Sequence, residues 1–350
     1  MIKIGRSKEA SKASTSLLAY PGFGYPTEDG QWRIHIAGVA WQEPVVFSMR
    51  QRMMIRMLGG VMKATPDELK CATFQDRITP FMAEADHRQS IIAEINGRSF
   101  RLPKKTRKNG HFSDFILIDR AKAESMISGD GFGNRILSFQ VVADHPKSKP
   151  VSGLVYLLDR TGTSVVSDID DTIKVSAVGD RKELLNNTFL RDFRSVEGMA
   201  DVYRQWSTAS FHYVSSSPWQ LFESLHQMNV SHQFPPGTMH LRNFRLRDQL
   251  LKKVIIRRQG KATAIRFLMK NLPERKFILI GDSGEKDPEI YRKVFRKFPD
   301  RVKALLIRDI EQRPLEDERI RKLCDTIPNG VFAKFRDAEE LSKLADRLFC

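Results

Sequence analysis

After Arg160-Thr161-Gly162 the chain settles into a rhythm that few folds accommodate: short, almost wholly apolar segments separated by helix-like stretches. The segments read SVVSD, FHYVSSS, TMHLRNF, KFILIGD, KALLIRD and GVFAKF. A strand without polar alternation must be covered on both faces, and strands separated by helices pair in parallel. This half is therefore expected to form a doubly wound parallel α/β sheet. Upstream the grammar is different. In QWRIHIAGVAW, Trp32, Ile34 and Ile36 fall on one side and Arg33, His35 and Ala37 on the other, which is strand period. IIAEINGRSFRL places Asn96-Gly97 between two alternating runs, a pair suited to the positive φ angles of a tight hairpin. DFILI, RILSFQVVA and GLVYLL are further strand-like runs. We expect a loose lead-in over residues 1–25, a β-rich accessory domain with one or more helices over 26–160, and the α/β domain over 161–350.

One segment of the first half, FSMRQRMMIRMLGGVMKATPDELK, reads as helix. Phe47, Met54, Met57, Leu58 and Val61 recur near helical spacing, with Arg50, Arg52 and Arg56 between them. A Met-rich stripe packed on the sheet is preferred over a basic amphipathic contact with membrane, because amphipathicity is what any surface helix needs.

At 350 residues with 41% hydrophobic composition, the chain can bury cores for two domains. Its 58 Lys and Arg outnumber 42 Asp and Glu, a formal net charge of +16 that implies an anionic partner: nucleic acid, an acidic lipid surface or a phosphorylated substrate. Cys71, Cys324 and Cys350 are far apart and form no C-x-x-C pair, so neither a disulfide framework nor a zinc site is indicated, and reduced thiols in a cytoplasmic protein are expected. The polar start MIKIGRSKEASKAST and the lack of a long apolar run argue against a signal peptide or a spanning helix. Peripheral membrane contact stays open.

In open parallel sheets, ligands bind beyond the carboxyl ends of the strands. The polar residues after these strands thus belong to one site. Asp168, Asp170 and Thr172 follow the first strand, Ser215 the second, and Asp282 and Asp287 lie in GDSGEKD after the fourth, with Lys261 opening the helix before it. Crowded carboxylates raise one another's pKa values and oppose folding, so SDIDDT in a basic chain points to a bound cation or a proton-transfer role. Asp171 is read as a capping or supporting residue. His212, inside an apolar strand, is read as a core histidine, and the places of Trp219 and His240 are left open.

D-x-D-x-T after an apolar strand, then Ser, Lys and G-D-x-x-x-x-D, resembles the four-motif signature of the haloacid dehalogenase superfamily. VSDIDDTIKVSAV, HYVSSSPWQLF, PPGTMHLRNF and KFILIGDSGEKDPEIY resemble more narrowly the actin-patch-associated phosphatidate phosphatase family. This resemblance covers most of residues 160 to 310, and the first half only loosely, through YPGFGYP. It implies a haloacid-dehalogenase-like fold and a Mg²⁺-dependent phosphatidate phosphatase. Asp168 would be the nucleophile, forming an aspartyl-phosphate, and Asp170 the general acid and base. Mg²⁺ would be held by Asp168, the Asp170 carbonyl, Asp282 and Asp287. Lys261 and Ser215 would hold the transferring oxygens.

The substrate is less constrained by the residues. Between Thr172 and the second strand there is chain enough for a helical flap, not for a cap domain, and an open site favours a large or surface-bound substrate. Thr172 and Ser216 are candidates for substrate contact, as are Arg242 and Arg257 from a one-signed basic stretch that also holds Arg245, Arg247, Lys252, Lys253 and Arg258. Phosphatidate or another anionic phospholipid at a membrane surface is the expected partner. A phosphatase acting on nucleic-acid ends or phosphoprotein, and a lipid- or nucleic-acid-binding scaffold, are the alternatives.

Overall fold

The protein is described by a computed structural model over residues 15–42, 47–145, 148–243 and 259–349. Two sheets organise it. The first has ten strands: β1 (Thr15–Tyr20), β2 (Gly22–Pro26), β3 (Gln31–Gln42), β4 (Glu84–Ala85), β5 (Ile91–Ile95), β6 (Arg98–Arg101), β7 (His111–Asp119), β8 (Ser128–Gly129), β9 (Arg135–Ala143) and β10 (Val151–Leu157). Its pairing is antiparallel except for β2 with β10. Trp32, Ile34, Ile36, Ile91, Ala93, Phe112, Leu137, Phe139 and Val155 build a core of its own. Asn96 and Gly97 adopt φ of 46° and 73° between β5 and β6, the hairpin expected from the sequence.

The lead-in is shorter than expected. Residues 15–26 are β1 and β2, integral to the sheet, with β1 alternating buried and half-buried residues along β3. TSLLAY is too short for its alternation to stand out until a partner strand is present.

The second sheet has six parallel strands in the order β13-β12-β11-β14-β15-β16: β11 (Thr163–Ser167), β12 (Ser210–Pro218), β13 (Gly237–Arg242), β14 (Lys276–Asp282), β15 (Val302–Arg308) and β16 (Phe332–Phe335). The chain starts in the middle at β11, works outwards to one side, then returns to build the other, so the switch point falls between β11 and β14. Both faces are covered. Val165, Ile278 and Ile280 point into one core and Val166, Phe277 and Leu279 into the other.

The helices are α1 (Met49–Met62), α2 (Ala72–Met82), α3 (Arg120–Glu124), α4 (Arg181–Phe189), α5 (Met199–Gln205), α6 (Phe222–Ser231), α7 (Gln259–Asn271), α8 (Asp287–Lys297), α9 (Asp317–Cys324) and α10 (Ala338–Phe349). On one face of the second sheet, α4, α5 and α6 contribute Phe189, Tyr203 and Leu225, joined by Met54 and Met62 of α1 and Phe74 and Ile78 of α2. The other face takes Ile265 and Leu268 of α7 and Tyr291 of α8, together with Phe23 and Tyr156 from the first sheet and Leu158 just after β10. The α1–α2 pair, though it arises between β3 and β4, thus completes the core of the second sheet. Arg77 of α2 donates to the carbonyls of Thr188 and Arg191 at the end of α4, at 3.0 and 2.5 Å.

The expected helix over the Met-rich segment forms, but its stripe does not pack as expected. Met54 is buried and Leu58 half-buried, whereas Met57 and Val61 are 60% and 39% exposed. Helical spacing identifies neighbours on the surface of a helix without saying which of two apolar faces meets the protein. Among the described residues no helix is long and apolar enough to cross a membrane.

Candidate active site

β11 ends at Ser167, and the chain turns at once. The amides of Ile173 and Lys174 donate to the Ile169 carbonyl at 3.0 and 2.9 Å, a single helical turn. Asp171, at φ 57°, accepts the amides of Ser176, Ala177 and Val178 at 2.8, 2.9 and 2.7 Å. It is the organising residue of the loop, in keeping with the capping role read from the sequence. Folding the loop back this way brings Lys174 and Ser176 over Asp170.

Asp168, Asp282 and Asp287, all buried, have carboxylate oxygens within 4.8 Å of one another. The first two come from the ends of the adjacent strands β11 and β14, the third from the first turn of α8. Lys261 of α7 lies among them, 2.8 Å from Asp168 Oδ1, 2.5 Å from Asp287 Oδ1 and 3.0 Å from Glu285 Oε2. Three carboxylates therefore contact one ammonium, with Asp282 a fourth in the same cluster. Asp282 Oδ1 accepts the Glu285 amide at 2.9 Å, while its Oδ2 is buried with no hydrogen-bond partner among the described residues. Gly281 is required here, since a Cβ would fall 2.2 Å from Asp287 Oδ2.

The charges distort one another strongly. Burial pushes Asp168 well above the usual carboxylate range, opposed by Lys261 and reinforced by Asp287 and Asp282. Asp282 is pushed up to about 7 by burial and by Asp287, and Asp287 to about 6 by burial. Burial pulls the Lys261 ammonium down, but Asp168, Asp287 and Glu285 more than reverse this and hold it well above its ordinary value. Hard oxygen donors with an unsatisfied buried carboxylate oxygen fit a small divalent cation, which would cancel the excess negative charge.

Asp170 is in a different situation. Its Oδ1 accepts from Lys174 Nζ at 2.8 Å and Ser176 Oγ at 2.7 Å, and its Oδ2 from Ser215 Oγ at 2.8 Å and Ser217 Oγ at 2.7 Å. Burial favours the neutral acid, yet Lys174 and the hydroxyl donors outweigh it and hold Asp170 below the usual carboxylate range. Two carboxyl groups two residues apart are thus driven in opposite directions by their surroundings.

The structure brings together Asp168, Asp170, Ser215, Lys261, Asp282 and Asp287 as their chain order suggested. It engages several of them in unexpected ways. Thr172, fully buried, donates to Asp168 Oδ2 at 3.1 Å, and Ser215 donates to Asp170, so these hydroxyls hold the two carboxylates. Ser216 Oγ donates to Glu285 at 3.3 Å. Arg242, at the end of β13, is half-buried, and burial lowers its guanidinium against the pull of Glu285. Arg257, and with it Arg245, Arg247, Lys252, Lys253 and Arg258, lies outside the described residues.

Lys174, Ser176 and Glu285 were missed by sequence reasoning; Lys174 stands one helical turn from Asp170 in a segment that reads as a polar loop. His212 is buried and bonded to Thr238 Oγ1 at 2.7 Å, a core histidine as read. The Trp219 ring lies tilted against Trp41 of the first sheet, centroids 5.5 Å apart, so it supports the fold, and His240 pairs with Thr238. A separate open groove of about 710 Å³ runs past Leu18, Asn96, Gln140, Ser152, Glu223 and His226, away from the carboxylates.

Residues 163–309 match the catalytic domain of phosphatidate phosphatase APP1. An uncharacterized Schizosaccharomyces pombe protein is 29% identical over 238 residues, 66% of this chain and 37% of its own length. Phosphatidate phosphatase APP1 of Saccharomyces cerevisiae is 34% identical over 177 residues, 47% of this chain and 30% of its own. The chain thus spans about a third of the length of these relatives. A solved Thermotoga maritima structure assigned as a beta-phosphoglucomutase covers 53% of this chain and 99% of its own at 10% identity, with a TM-score of 0.32, too low to bear on the fold. The segment that carries every carboxylate of the site is thus similar to the catalytic domain of APP1 phosphatidate phosphatases.

Proposed function

We propose that this protein hydrolyses phosphatidate to diacylglycerol and inorganic phosphate, using a haloacid-dehalogenase-like domain over residues 161–350 and a divalent cation, Mg²⁺ by the chemistry of its donors. The carrying observation is the buried Asp168–Asp282–Asp287 group with its unpartnered Asp282 Oδ2, at the switch point of a parallel sheet, inside the segment similar to that family. Placement of the carboxylates after β11 and β14 supports the haloacid-dehalogenase assignment. Residues 26–160 serve as an accessory domain, except that α1 and α2 belong to the catalytic core. A cytoplasmic protein acting peripherally at membranes follows from a lipid substrate.

Asp168, Asp282 and Asp287 would hold the cation, with the Asp170 carbonyl completing the set, and the cation would offset the charge of the phosphate dianion. Asp168, held by Thr172, attacks phosphorus and the bond to the glycerol oxygen breaks, leaving an aspartyl-phosphate. Lys261 lies 2.8 Å from Asp168 Oδ1, where charge accumulates on the transferring group. Asp170 is held ionised, the state of a base for the water that releases phosphate. To protonate the departing glycerol oxygen it must first take up a proton. Arg242, at the end of β13, is the candidate contact for the lipid phosphate from the basic stretch.

Phosphate release should be measured on phosphatidate micelles, 3′-phosphorylated oligonucleotides, a phosphopeptide and sugar phosphates, with Mg²⁺ and with chelator. Chelator-sensitive turnover highest on phosphatidate is expected. Highest turnover on oligonucleotide or phosphopeptide would replace the substrate, and full activity in chelator would remove the cation.

A further inference from the structure

α1 is apolar on two sides. Its inner side supplies Met54 and Met62 to the core, and Ile55 and Leu58 pack partly buried against it. Its outer side consists of seven exposed residues, Met49, Arg52, Met53, Arg56, Met57, Gly60 and Val61, which line up at helical spacing. Met49, Met53 and Met57 are 87%, 63% and 60% exposed, far more than packing on the protein would leave. A helix face turned to water normally carries polar residues, and this one carries only arginine between its apolar side chains. No acidic residue occurs in α1, and Lys63, at its C-terminal cap, is exposed.

We propose that this outer face of α1 docks on an anionic lipid bilayer, with Met49, Met53, Met57 and Val61 entering the acyl boundary and Arg52 and Arg56 meeting the headgroups. Charge complementarity selects this occupant. Arginine stems lie along apolar surface while their guanidinium groups reach outwards, and unbranched methionine adapts to a fluid partner. The position suits such a role. α1 packs against α4, whose exposed Arg181 and Lys182 follow directly on the Asp168–Ser176 loop, and Arg77 ties α2 to the end of α4. A bilayer bound at α1 therefore lies against the helical layer that flanks the nucleophile loop. The role at a substrate-bearing membrane rests on the proposed lipid substrate; the docking face itself does not.

The test is co-sedimentation with phosphatidylcholine vesicles, with and without about 30 mol% phosphatidylserine, a lipid that is not a substrate. Wild type should bind the anionic vesicles and weaken with added salt. Met53→Glu/Met57→Glu should weaken that binding by about tenfold or more, and Arg52→Glu/Arg56→Glu should do likewise. Both should keep the wild-type melting temperature and p-nitrophenyl phosphate hydrolysis, because these side chains face outwards. Met53→Gln/Met57→Gln provides a milder pair in case the glutamates perturb folding. Wild-type binding by all the variants, or no binding by wild type, overturns the proposal. So does a wild-type dimer that becomes monomeric in the methionine variants while vesicle binding persists, since a second copy then covers the face. If docking is lost as expected but phosphatidate is not hydrolysed by wild type, the docking face stands and the proposed substrate fails.

Discussion

Replacing Asp282 with asparagine should make the metal-free protein more stable at pH 8 while abolishing its activity and its stabilisation by Mg²⁺. In the fold, burial and the neighbouring Asp287 push the Asp282 carboxyl up to about 7, from an ordinary 3.8. Between those values the folded protein holds a proton that the unfolded chain has released. The contribution of Asp282 to stability is thus full below about pH 4 and declines as pH rises through 7. About three pH units at about 1.4 kcal/mol each set a ceiling of about 4 kcal/mol, and relaxation with water entry lowers the expected gain to about 2 kcal/mol. Asparagine keeps an oxygen for the Glu285 amide and places an N–H donor where Oδ2 now faces other carboxylates without a partner. Urea unfolding of both proteins in chelator, at pH 5 and pH 8, reads the difference. The variant should exceed wild type at pH 8 by about two to three times its advantage at pH 5, where only about one of those pH units has been crossed, and added Mg²⁺ should raise the midpoint of wild type alone. An equal or lower stability of the variant at pH 8, or the same offset at both pH values, would refute the reasoning.

Asp168→Asn should reduce turnover by more than about a thousandfold without lowering the melting temperature, and a phosphoenzyme trapped in wild type should be missing from it. Lys174→Met leaves the Asp170 carboxylate buried without its cation and should lose about 3 kcal/mol or more in urea unfolding; adding Asp170→Asn should recover part of that loss, and a strictly additive double variant would argue against the pair. His35 is lowered by burial to about 3, and His212, also by burial, well below 6.5. Both are neutral in the fold and take up protons when it opens, so their contribution is full above about pH 6.5 and falls by up to about 1.4 kcal/mol per pH unit per ring as pH drops towards 4. Unfolding in the presence of Mg²⁺ from pH 7 to 5 should show this slope, and His35→Phe should flatten it. Gly281→Ala should displace Asp287 and lose activity, as steady-state assays would reveal.

Much of the site can be read from the residues because it is built on strand ends. A parallel sheet delivers the carboxyl end of every strand to one edge, so Asp168 after β11 and Asp282 at the end of β14 converge whatever lies between them. The same regularity makes Ser215 and Asp287 recognisable, and the Asn96-Gly97 hairpin follows from local backbone preference. These features depend on short stretches of chain and on one global property, the parallel sheet, which the unbroken apolar runs already announce. The parting of the carboxyl groups is less visible. That Asp168 is raised and Asp170 lowered depends on which donors surround each, and Lys174 and Ser176 reach Asp170 only after Asp171 has folded its loop through three backbone amides.

The sequence by itself determined the parallel sheet, the order of the acidic residues along its edge and the kinship of residues 163–309, because each is written in local pattern and spacing. Only the tertiary structure decided that residues 15–26 are strands, that α1 and α2 cross from the first half into the core of the second sheet, and that Met54 turns inwards while Met53 and Met57 stay in water. Hydrophobic periodicity records that a segment has apolar sides. Which of those sides is buried depends on the surface it meets, and that surface is assembled from residues distant in the chain.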